Sequence, residues 1–430
     1  MRKGVIMSSY VIEGGRRLEG ECEIQGAKNS ALPILASTLL CEGRSVVKNC
    51  PVLLDVSATL RILGHLGCGV STDGHTVSVD SSSASGYEIP ERLMREMRSS
   101  VIFLGAILAR NGKVILSTPG GCDIGLRPID LHLEAMKKMG ASVREEFGKI
   151  ECSAPDGLKG TTLTLSFPSV GATENIMIAA STAKGTTTVI NAAREPEISD
   201  LADFLNSCGA KISGAGQGTV VIEGVKRLTG ACHRVIPDRI AAATYMAAAA
   251  ITGGDVTFSD IIPAHLGHEI DLFAESGCLI TTSSRSLRLK APQRLKSVKL
   301  IRTMPYPGFP TDTGAPVVAM LTKAVGTSVI IETIFENRFR YIGELIRLGA
   351  KIRVDGRMAV VDGVDALHGV SVRSTDLRGG AALMVAALSA EGESVISCIN
   401  HIERGYESPE KIIAGLSGKI KRIDTEDGDE

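Results

Sequence analysis

Tryptophan is absent from this 430-residue chain, and aromatic residues make up only 3% of it. A protein that binds single-stranded nucleic acid stacks bases on aromatic side chains, so this function is disfavoured. The formal net charge is −1, so no overall field attracts the chain to nucleic acid or to an anionic membrane. The longest apolar stretch, near residues 241–251, is too short to span a bilayer. The N-terminal residues also lack the apolar core of a signal peptide.

Paired cysteines are also missing, because the ten cysteines are spread singly and no Cys-x-x-Cys occurs. This pattern argues against a disulfide framework or a structural zinc site and favours a reducing, cytoplasmic location. His265 and His268 stand three apart, but without a neighbouring cysteine or an HExxH motif we predict no metal site. The glycine-rich signatures of phosphate and dinucleotide binding are absent too, which disfavours a kinase or a dehydrogenase. We therefore predict no cofactor.

What the chain does contain is a repeat of about seventy residues. A helix end followed by a Gly-Ala-type turn recurs at Gly67, Gly140, Gly209, Gly277, Gly349 and, in degenerate form, Ser417. A glycine before a β-branched strand keeps the same interval, at Gly43, Gly112, Gly185, Gly254, Gly326 and Gly392. The pattern predicts six units, each a helix, a strand, a second helix and two strands, hence an α/β fold. Six units in 430 residues suggest two pseudo-symmetric domains of three repeats.

Polar residues cluster where the helices of each unit begin. Before the first helices stand Lys28 and Asn29, Arg98, Ser169, Asp238 and Arg239, Asp312, and Asp376 and Arg378. Before the second helices stand Cys122, Arg127 and Asp130; Arg194, Glu195 and Glu197; Glu336 and Arg338; and Glu403 and Arg404. Helix N-termini favour anions, so we expect a cleft between the domains that takes a small polyanionic substrate. Arg194 and Arg239 are equally consistent with structural pairing to neighbouring carboxylates.

Cys122 lies in the glycine-rich segment PGGCDIGLRP. This setting predicts a mobile, exposed thiol with a cation nearby, which is typical of a reactive cysteine. The alternative is an incidental loop thiol.

Several segments occur in an order and spacing that resemble a known family. They are GAKNSALPIL, MRSS, PGGCDIGLRPIDLH, SVGATENI, NAAREPEI, PDRI, FPTD, FENR, TDLR and HIERGYE. Over about residues 8–423 the chain resembles the UDP-N-acetylglucosamine 1-carboxyvinyltransferases, a family of enolpyruvyl transferases. The resemblance implies two inside-out α/β barrel domains of three repeats each. It places one domain at residues 28–236 and the other at residues 1–27 with 237–423, leaving an acidic tail, 424–430, that we expect to be frayed.

The reaction implied by the resemblance moves the enolpyruvyl group of phosphoenolpyruvate to the 3-hydroxyl of UDP-N-acetylglucosamine and releases phosphate. It is the first committed step of peptidoglycan synthesis and runs by addition and elimination through a tetrahedral ketal. Two alternatives stay open at this point. The related 3-phosphoshikimate enolpyruvyl transferases are expected to carry Ser-Lys-Ser where this chain has AKN, and to lack the cysteine loop. A non-catalytic sugar-nucleotide-binding paralogue is the other.

The resemblance also implies residue roles. Cys122 is the expected proton donor and the target of fosfomycin, and Asp312 is the expected base. The catalytic set is completed by Lys28 and Arg404. Expected to bind phosphoenolpyruvate are Lys28, Asn29, Arg127, Arg338, Arg378 and Arg404. Expected to bind UDP-N-acetylglucosamine are Asn29, Arg98, Arg127, Pro128, Ile129, Asp130, His132, Ser169, Val170, Gly171, Asp312 and Ile334. The chain departs from some relatives at Phe167 and Pro168, where those carry lysine and valine, so a diphosphate contact is expected to be missing.

Overall fold

The computed structural model describes residues 6–117 and 129–426. In those ranges the α-helices are α1 Lys28–Ser37, α2 Leu54–His65, α3 Glu91–Glu96, α4 Phe103–Asn111, α5 Asp130–Lys138, α6 Val170–Ala180, α7 Pro196–Ser207, α8 Arg239–Ile251, α9 Gly267–Glu275, α10 Thr311–Leu321, α11 Ile342–Arg347, α12 Leu377–Ser389, α13 Asn400–Glu403 and α14 Pro409–Gly415. No helix in these ranges is both long and apolar enough to cross a bilayer.

The strands run through the same ranges. They are β1 Ile6–Glu13, β2 Glu19–Glu23, β3 Cys41–Glu42, β4 Arg44–Lys48, β5 Gly69–Asp73, β6 Thr76–Asp80, β7 Glu88–Ile89, β8 Lys113–Ser117, β9 Ser142–Glu146, β10 Lys149–Ser153, β11 Thr162–Thr164, β12 Thr186–Ile190, β13 Lys211–Ser213, β14 Thr219–Glu223, β15 Leu228–Thr229, β16 Cys232–Arg234, β17 Asp255–Ser259, β18 Leu279–Thr282, β19 Ser286–Lys290, β20 Leu300–Arg302, β21 Thr327–Ile331, β22 Lys351–Asp355, β23 Met358–Asp362, β24 Ser371–Arg373, β25 Glu393–Ser397 and β26 Lys419–Glu426.

One four-stranded pattern recurs in six sheets. The strand orders are β16-β4-β6-β5, β7-β8-β10-β9, β11-β12-β14-β13, β2-β17-β19-β18, β20-β21-β23-β22 and β24-β25-β1-β26. In each sheet the first two strands are parallel and the remaining pairs are antiparallel. In five of the sheets the other three strands follow the predicted order of the repeat. In the sixth sheet, β1 from the start of the chain pairs with both β25 and β26 and supplies the strand that the repeat lacks. The short parallel strand before each first helix is an addition that the sequence pattern did not indicate, because two to five residues carry no readable period.

The described chain divides into two compact units, each with its own apolar core. The central unit comprises residues 26–117 and 129–236, and the terminal unit comprises residues 6–25 and 237–426. In the terminal unit the helices α8, α10 and α12 pack against one another, and every residue of α8 is buried. In the central unit α4 packs against both α1 and α6. Such helices are apolar on all sides because sheets and helices surround them.

The turn that marks each repeat has a left-handed backbone. Five of these positions are glycines with φ between 95° and 100°, and the sixth is Ser417 with φ 67°. Glycine adopts this conformation at little cost, whereas a residue with a Cβ is strained there. The repeat therefore reflects a backbone requirement. At the second landmark of the fourth repeat the left-handed residue is Gly253, with φ 68°, one position before the glycine read from the sequence.

The acidic C-terminal end differs from the frayed tail expected from residue 424. Strand β26 continues to Glu426 and pairs antiparallel with β1 along its length. Asp424 accepts a hydrogen bond from the Ser8 hydroxyl at 2.5 Å and pairs with Arg422 at 2.7 Å. Ser8 lies across the ladder in β1 and Arg422 lies in β26 itself. The local sequence gave no means of predicting the contact with Ser8.

Candidate active site

A carboxylate held by two arginines lies at the start of the core helix α10. Asp312 is the second residue of this helix, and its side chain is about one-quarter exposed. Its Oδ1 accepts a hydrogen bond from Arg338 Nη2 at 2.7 Å, and its Oδ2 accepts one from Arg378 Nη2 at 3.4 Å. Both arginines are only 4% exposed. Three of the sequence-predicted site residues are thus in direct contact at a helix N-terminus, where anions are favoured.

Arg378 is fixed from a second side by aromatic and hydroxyl groups. Its Nη1 donates to the Tyr406 hydroxyl at 3.1 Å, and its guanidinium lies 5.5 Å from the centroid of the same ring. Tyr406 in turn shares a 2.8 Å hydrogen bond with Thr244 in α8. Burial alone lowers the pKa of Arg378, but interactions with Tyr406, Asp312 and Asp238 raise it by more. The buried cation therefore stays charged.

One N–H group of the buried Arg338 side chain has no hydrogen-bond acceptor in the described chain. Its Nη2 also donates to the Thr311 carbonyl at 3.0 Å, and its guanidinium lies 5.6 Å from the Phe335 ring centroid. Its Nε is buried and has no hydrogen-bond partner among the described residues. A buried guanidinium N–H without a partner is costly, so this donor is a candidate contact for an anionic ligand.

Glu332 connects the loops around this group, although no sequence motif pointed to it. The side chain is 2% exposed. Its Oε2 accepts from the Thr311 hydroxyl at 2.7 Å, and its Oε1 accepts from the backbone N–H groups of Ile334 and Phe335 at 2.7 and 3.0 Å. Glu332 thereby fixes the half-buried Ile334, a predicted ligand contact, relative to the helix that carries Asp312. Its position directly after a β-branched strand was the only available signal.

The remaining predicted residues of the terminal unit lie at helix ends. Asp238 caps α8 by accepting from the N–H groups of Ile240 and Ala241 at 2.9 and 3.0 Å. The buried Arg239 lies 5.3 Å from the Tyr306 ring centroid. Arg404 follows α13 and is partly exposed. Both of these arginines make further polar interactions.

In the central unit, Lys28 and Asn29 begin the core helix α1. Lys28 Nζ lies 3.4 Å from Oδ2 of Asp55, which is 1% exposed. Asn29 is partly exposed. Asp55 was not singled out from the sequence, since one aspartate near a helix start gives no specific signal.

A buried carboxylate also secures the first turn of this helix. Asp200 accepts hydrogen bonds from the Ser30 hydroxyl and from the Ile236 N–H, the latter at 3.3 Å. Its other oxygen lies 2.8 Å from His233 Nε2. Asp200 therefore connects the first turn of α1, which carries Lys28 and Asn29, to strand β16 and to the residues that follow it.

A second group in the central unit joins α5, α6 and α4. His132 Nδ1 lies 2.7 Å from Asn175 Nδ2, and burial lowers the pKa of His132 to about 4. Gly171 is close enough to the imidazole that a Cβ added there would lie 3.2 Å from its Cε1. Ser169 caps α6 by accepting from the Ala172 N–H at 3.3 Å.

The start of α5 carries two further predicted residues. Asp130 is exposed and is the first residue of α5, and Ile129 precedes it.

The N-terminus of α6 leaves two amide groups available. The Ser169 N–H donates to the Phe167 carbonyl at 2.7 Å. The N–H groups of Val170 and Gly171 donate to no acceptor within residues 6–117 and 129–426. Phe167 is 42% exposed, so the departure from the lysine of some relatives leaves an apolar side chain beside this helix start.

Other predicted residues fall outside these groups. Cys122, Arg127 and Pro128 lie outside the described residues. Arg98 begins a short 3-10 helix before α4. His265 lies just before α9 and His268 lies within it. No group of three or more His, Cys, Asp or Glu side chains in the described ranges is arranged to hold a metal ion.

Known proteins match this chain along almost its whole length. A sequence model of the EPSP synthase (3-phosphoshikimate 1-carboxyvinyltransferase) family matches residues 12–412. UDP-N-acetylglucosamine 1-carboxyvinyltransferase 2 of Caldanaerobacter subterraneus subsp. tengcongensis is 51% identical over 97% of this chain and 100% of the relative. UDP-N-acetylglucosamine 1-carboxyvinyltransferase of Myxococcus xanthus is 46% identical over 97% of this chain and 99% of the relative.

Solved structures agree with the fold. The enolpyruvyl transferase NikO from Streptomyces tendae superposes with a TM-score of 0.88 at 25% identity, covering 97% of this chain and 99% of that chain. EPSP synthase from Acinetobacter baumannii superposes with a TM-score of 0.74 at 17% identity, covering 97% and 100%, and shows the fold alone. The fold is the mixed α/β fold of the enolpyruvyl transferases. The relatives at 45–51% identity share one name, and the chain belongs to the UDP-N-acetylglucosamine 1-carboxyvinyltransferase family of enolpyruvyl transferases.

Proposed function

We propose that this chain transfers the enolpyruvyl group of phosphoenolpyruvate to the 3-hydroxyl of UDP-N-acetylglucosamine and releases phosphate, the first committed step of peptidoglycan synthesis. The observation that carries the proposal is Asp312, held at 2.7 and 3.4 Å by two buried arginines at the start of a core helix. This arrangement supplies a carboxylate beside fixed positive charge. An enzyme that must position a hydroxyl next to a phosphorylated carboxylate needs both.

In the addition step, the sugar 3-oxygen bonds to C2 of phosphoenolpyruvate while its proton passes to Asp312. The methylene carbon gains a proton from Cys122, giving a tetrahedral phospho-ketal with a methyl group. In the elimination step, a proton returns from that methyl group to the Cys122 thiolate, the C–O bond to phosphate breaks, and the departing phosphate takes the proton held by Asp312. The products are the enolpyruvyl ether and inorganic phosphate, so atoms and charge balance without a redox or metal cofactor.

Cations offset the charge on phosphoenolpyruvate in this proposal. Lys28, Arg127 and Arg404 contact its phosphate and carboxylate, together with Arg338 and Arg378, and Asn29 contacts both substrates. Support comes from the uncommitted Nε of Arg338 and from the position of Lys28 at a helix N-terminus. Charge-assisted contacts of this kind are short and strong.

The sugar nucleotide contacts the central unit through two helix starts. Val170 and Gly171 donate N–H groups to its diphosphate, with Ser169 beside them. Arg98, Arg127, Pro128, Ile129, Asp130 and His132 contact its nucleoside end, while Ile334 and Asp312 contact the sugar. The amide groups at the start of α6 that have no acceptor in the described chain support the diphosphate assignment. An inside-out barrel arrangement of three sheets around three helices in each unit belongs to the same proposal.

The first experiment measures phosphate release from the purified chain. We expect release only when phosphoenolpyruvate and UDP-N-acetylglucosamine are both present. Shikimate 3-phosphate in place of the sugar nucleotide is expected to give none. Release with shikimate 3-phosphate would favour the 3-phosphoshikimate alternative, and no release with either acceptor would favour a non-catalytic binding protein.

A second experiment tests whether Cys122 is the reactive cysteine. Of the nine other cysteines, seven are buried, Cys232 is exposed and Cys398 is partly exposed. Burial raises the pKa of the Cys22, Cys152 and Cys278 thiols to about 12, so these are inert at neutral pH. Fosfomycin is expected to label the peptide that carries Cys122, and faster with UDP-N-acetylglucosamine present. Cys232→Ser is the matched control and should leave the labelling rate unchanged. Equal labelling of Cys122 and Cys232 peptides would contradict the role of Cys122.

A further inference from the structure

Asn175, a completely buried residue of α6, makes three polar contacts with three different elements. Its Oδ1 accepts a hydrogen bond from the Gly105 N–H in α4 at 2.8 Å. Its Nδ2 donates to the Val101 carbonyl at 3.0 Å. The same Nδ2 lies 2.7 Å from His132 Nδ1. Neither the sequence motifs nor the proposed mechanism gives this residue a role.

The first two contacts determine which way the amide faces. A backbone N–H can only donate, so the atom facing Gly105 has to be the amide oxygen. A backbone carbonyl can only accept, so the atom facing Val101 has to be the amide nitrogen. The reversed orientation would set two donors against each other at Gly105 and two acceptors at Val101. Two independent backbone contacts thus fix the orientation of the side chain.

The fixed amide decides the protonation of the imidazole. One Nδ2 hydrogen goes to Val101, and the other points to His132 Nδ1. That nitrogen must therefore accept, so it carries no proton. Since burial lowers the pKa of His132 to about 4, the ring is neutral at pH 7, and its single N–H is on Nε2.

The Nε2 edge of the ring faces the start of α6. A Cβ on Gly171 would lie 3.2 Å from Cε1 and 3.5 Å from Nε2. Nε2 has no hydrogen-bond partner among residues 6–117 and 129–426, and the N–H groups of Val170 and Gly171 beside it have no acceptor there either. Three donors with no acceptor in the described chain are thus grouped at one helix start. This arrangement suits a ligand rich in acceptor oxygens.

We propose that Asn175 is a positioning residue that holds His132 as its Nε2–H tautomer, so that the imidazole donates a hydrogen bond to the sugar nucleotide at the start of α6. The assignment rests on the proposed function for the identity of the ligand. The tautomer itself rests only on the Gly105, Val101 and Asn175 contacts. Asn175 acts through His132 and does not touch substrate.

The first test uses the unaltered protein labelled with ¹⁵N-histidine. Long-range ¹H–¹⁵N spectra distinguish a protonated ring nitrogen from an unprotonated one, and His132→Gln identifies the His132 signals. We expect Nε2 protonated and Nδ1 unprotonated at pH 7 in the ligand-free protein. The Nε2–H resonance is expected to shift when UDP-N-acetylglucosamine is added. A proton on Nδ1, or exchange between both tautomers, would overturn the proposal.

The second test replaces Asn175 with aspartate, which still accepts from Gly105 but can donate neither to the Val101 carbonyl nor to Nδ1. We expect the His132 proton to move to Nδ1, leaving Nε2 an acceptor. The KM for UDP-N-acetylglucosamine is then expected to rise roughly tenfold, as for the loss of one hydrogen bond. The kcat and the KM for phosphoenolpyruvate should change less than about threefold, since one neutral contact to a single substrate is lost.

Asn206→Asp provides a control for the loss of a donated bond at an exposed asparagine. Asn206 accepts from the Ile212 N–H at 2.8 Å and donates to the Ile212 carbonyl at 2.9 Å, so the same substitution removes a donated bond without involving a histidine. It should leave the KM for UDP-N-acetylglucosamine unchanged. A rise in KM equal to that of Asn175→Asp would show a general structural effect and overturn the proposal.

A double variant separates positioning from packing. If Asn175 acts only through His132, adding Asn175→Asp to His132→Gln should cause no further rise in the KM for UDP-N-acetylglucosamine. Additive effects would overturn the proposal. A protein that failed to bind UDP-N-acetylglucosamine would refute the proposed function, yet the ligand-free tautomer would still report on Asn175.

Discussion

The terminal and central units share a sheet pattern and a core of buried helices, but their helix starts carry different chemistry. In the terminal unit, the carboxylate of Asp312 lies within hydrogen-bond distance of two buried cations, Arg338 and Arg378. In the central unit, the imidazole of His132 is kept neutral by burial and is oriented by the amide of Asn175. These two helix starts therefore carry different groups: a carboxylate with two cations at α10, and a neutral imidazole beside the backbone at α6.

Glu174, one of several buried carboxylates of the central unit, differs from Asp312 in its surroundings. Burial first, and then the charges of Glu197 and Glu195, hold the pKa of Glu174 well above its usual range. Among the described residues, no arginine forms an ion pair with Glu174. The terminal unit pairs Asp312 with two cations, whereas burial and two neighbouring carboxylates favour the protonated form of Glu174.

Removing the paired carboxylate should have the largest effect. We expect Asp312→Ala to lower turnover by about 10²- to 10⁴-fold, the usual contribution of a general base. It also leaves two buried guanidinium groups without their carboxylate, so we expect a loss of about 1–3 kcal/mol in unfolding free energy. Phosphate release and urea denaturation measure the two effects. Turnover within tenfold of the parent would remove Asp312 from the chemistry.

Lys28 and Arg404 are both assigned to phosphoenolpyruvate, so removing either side chain should weaken the binding of that substrate. Lys28→Ala and Arg404→Ala are expected to raise the KM for phosphoenolpyruvate roughly ten- to hundredfold, because each loses a charge-assisted contact. The KM for UDP-N-acetylglucosamine should change much less. Lys323→Ala is the control, since that partly buried lysine donates to the Ser389 carbonyl at the end of a core helix. Equal changes for both substrates would contradict the assignment of these cations.

Acid should destabilise the protein through the neutral imidazole. The pKa of His132 is lowered from 6.5 to about 4, so between these values the unfolded chain binds a proton that the folded chain does not. Stability from this group is full above pH 6.5 and is lost as the pH falls toward 4. At pH 5 the loss is about 2 kcal/mol. Comparing the parent with His132→Gln at pH 7 and pH 5 measures it. An equal acid effect in both proteins would contradict the buried neutral state.

The smallest expected effects concern a turn that both units share. Gly349 and Ser417 are exposed and have φ values of 98° and 67°. Gly349→Ser should lower the unfolding free energy by about 1–2 kcal/mol, whereas Ser417→Gly should raise it by about 0.5 kcal/mol, because glycine relieves left-handed strain but gains unfolded-state entropy. Thermal denaturation compares the pair. Effects of the same sign would show that side-chain contacts, not backbone strain, dominate at these turns.

The amino-acid sequence determined the features that depend on local backbone chemistry. The glycine turns, their interval and the alternation of helix and strand could be read directly, because each repeat needs a left-handed residue at the same place. The charged residues at helix starts, among them Lys28, Asp312 and Arg378, could also be predicted. An isolated charged residue next to an apolar helical segment is easy to recognise in the sequence. Motif resemblance then supplied the reaction.

Only the tertiary structure decided which of these residues meet. Asp312 and Arg378 are separated by more than sixty positions, and no local pattern indicates that their side chains lie within 3.4 Å. The structure likewise decided that Glu332 anchors Ile334 and that the amide of Asn175 faces Gly105, Val101 and His132. Asparagine and glutamate inside apolar segments give no sign of their partners. Burial, which makes each unsatisfied polar atom costly and so selects those partners, exists only once the chain has folded.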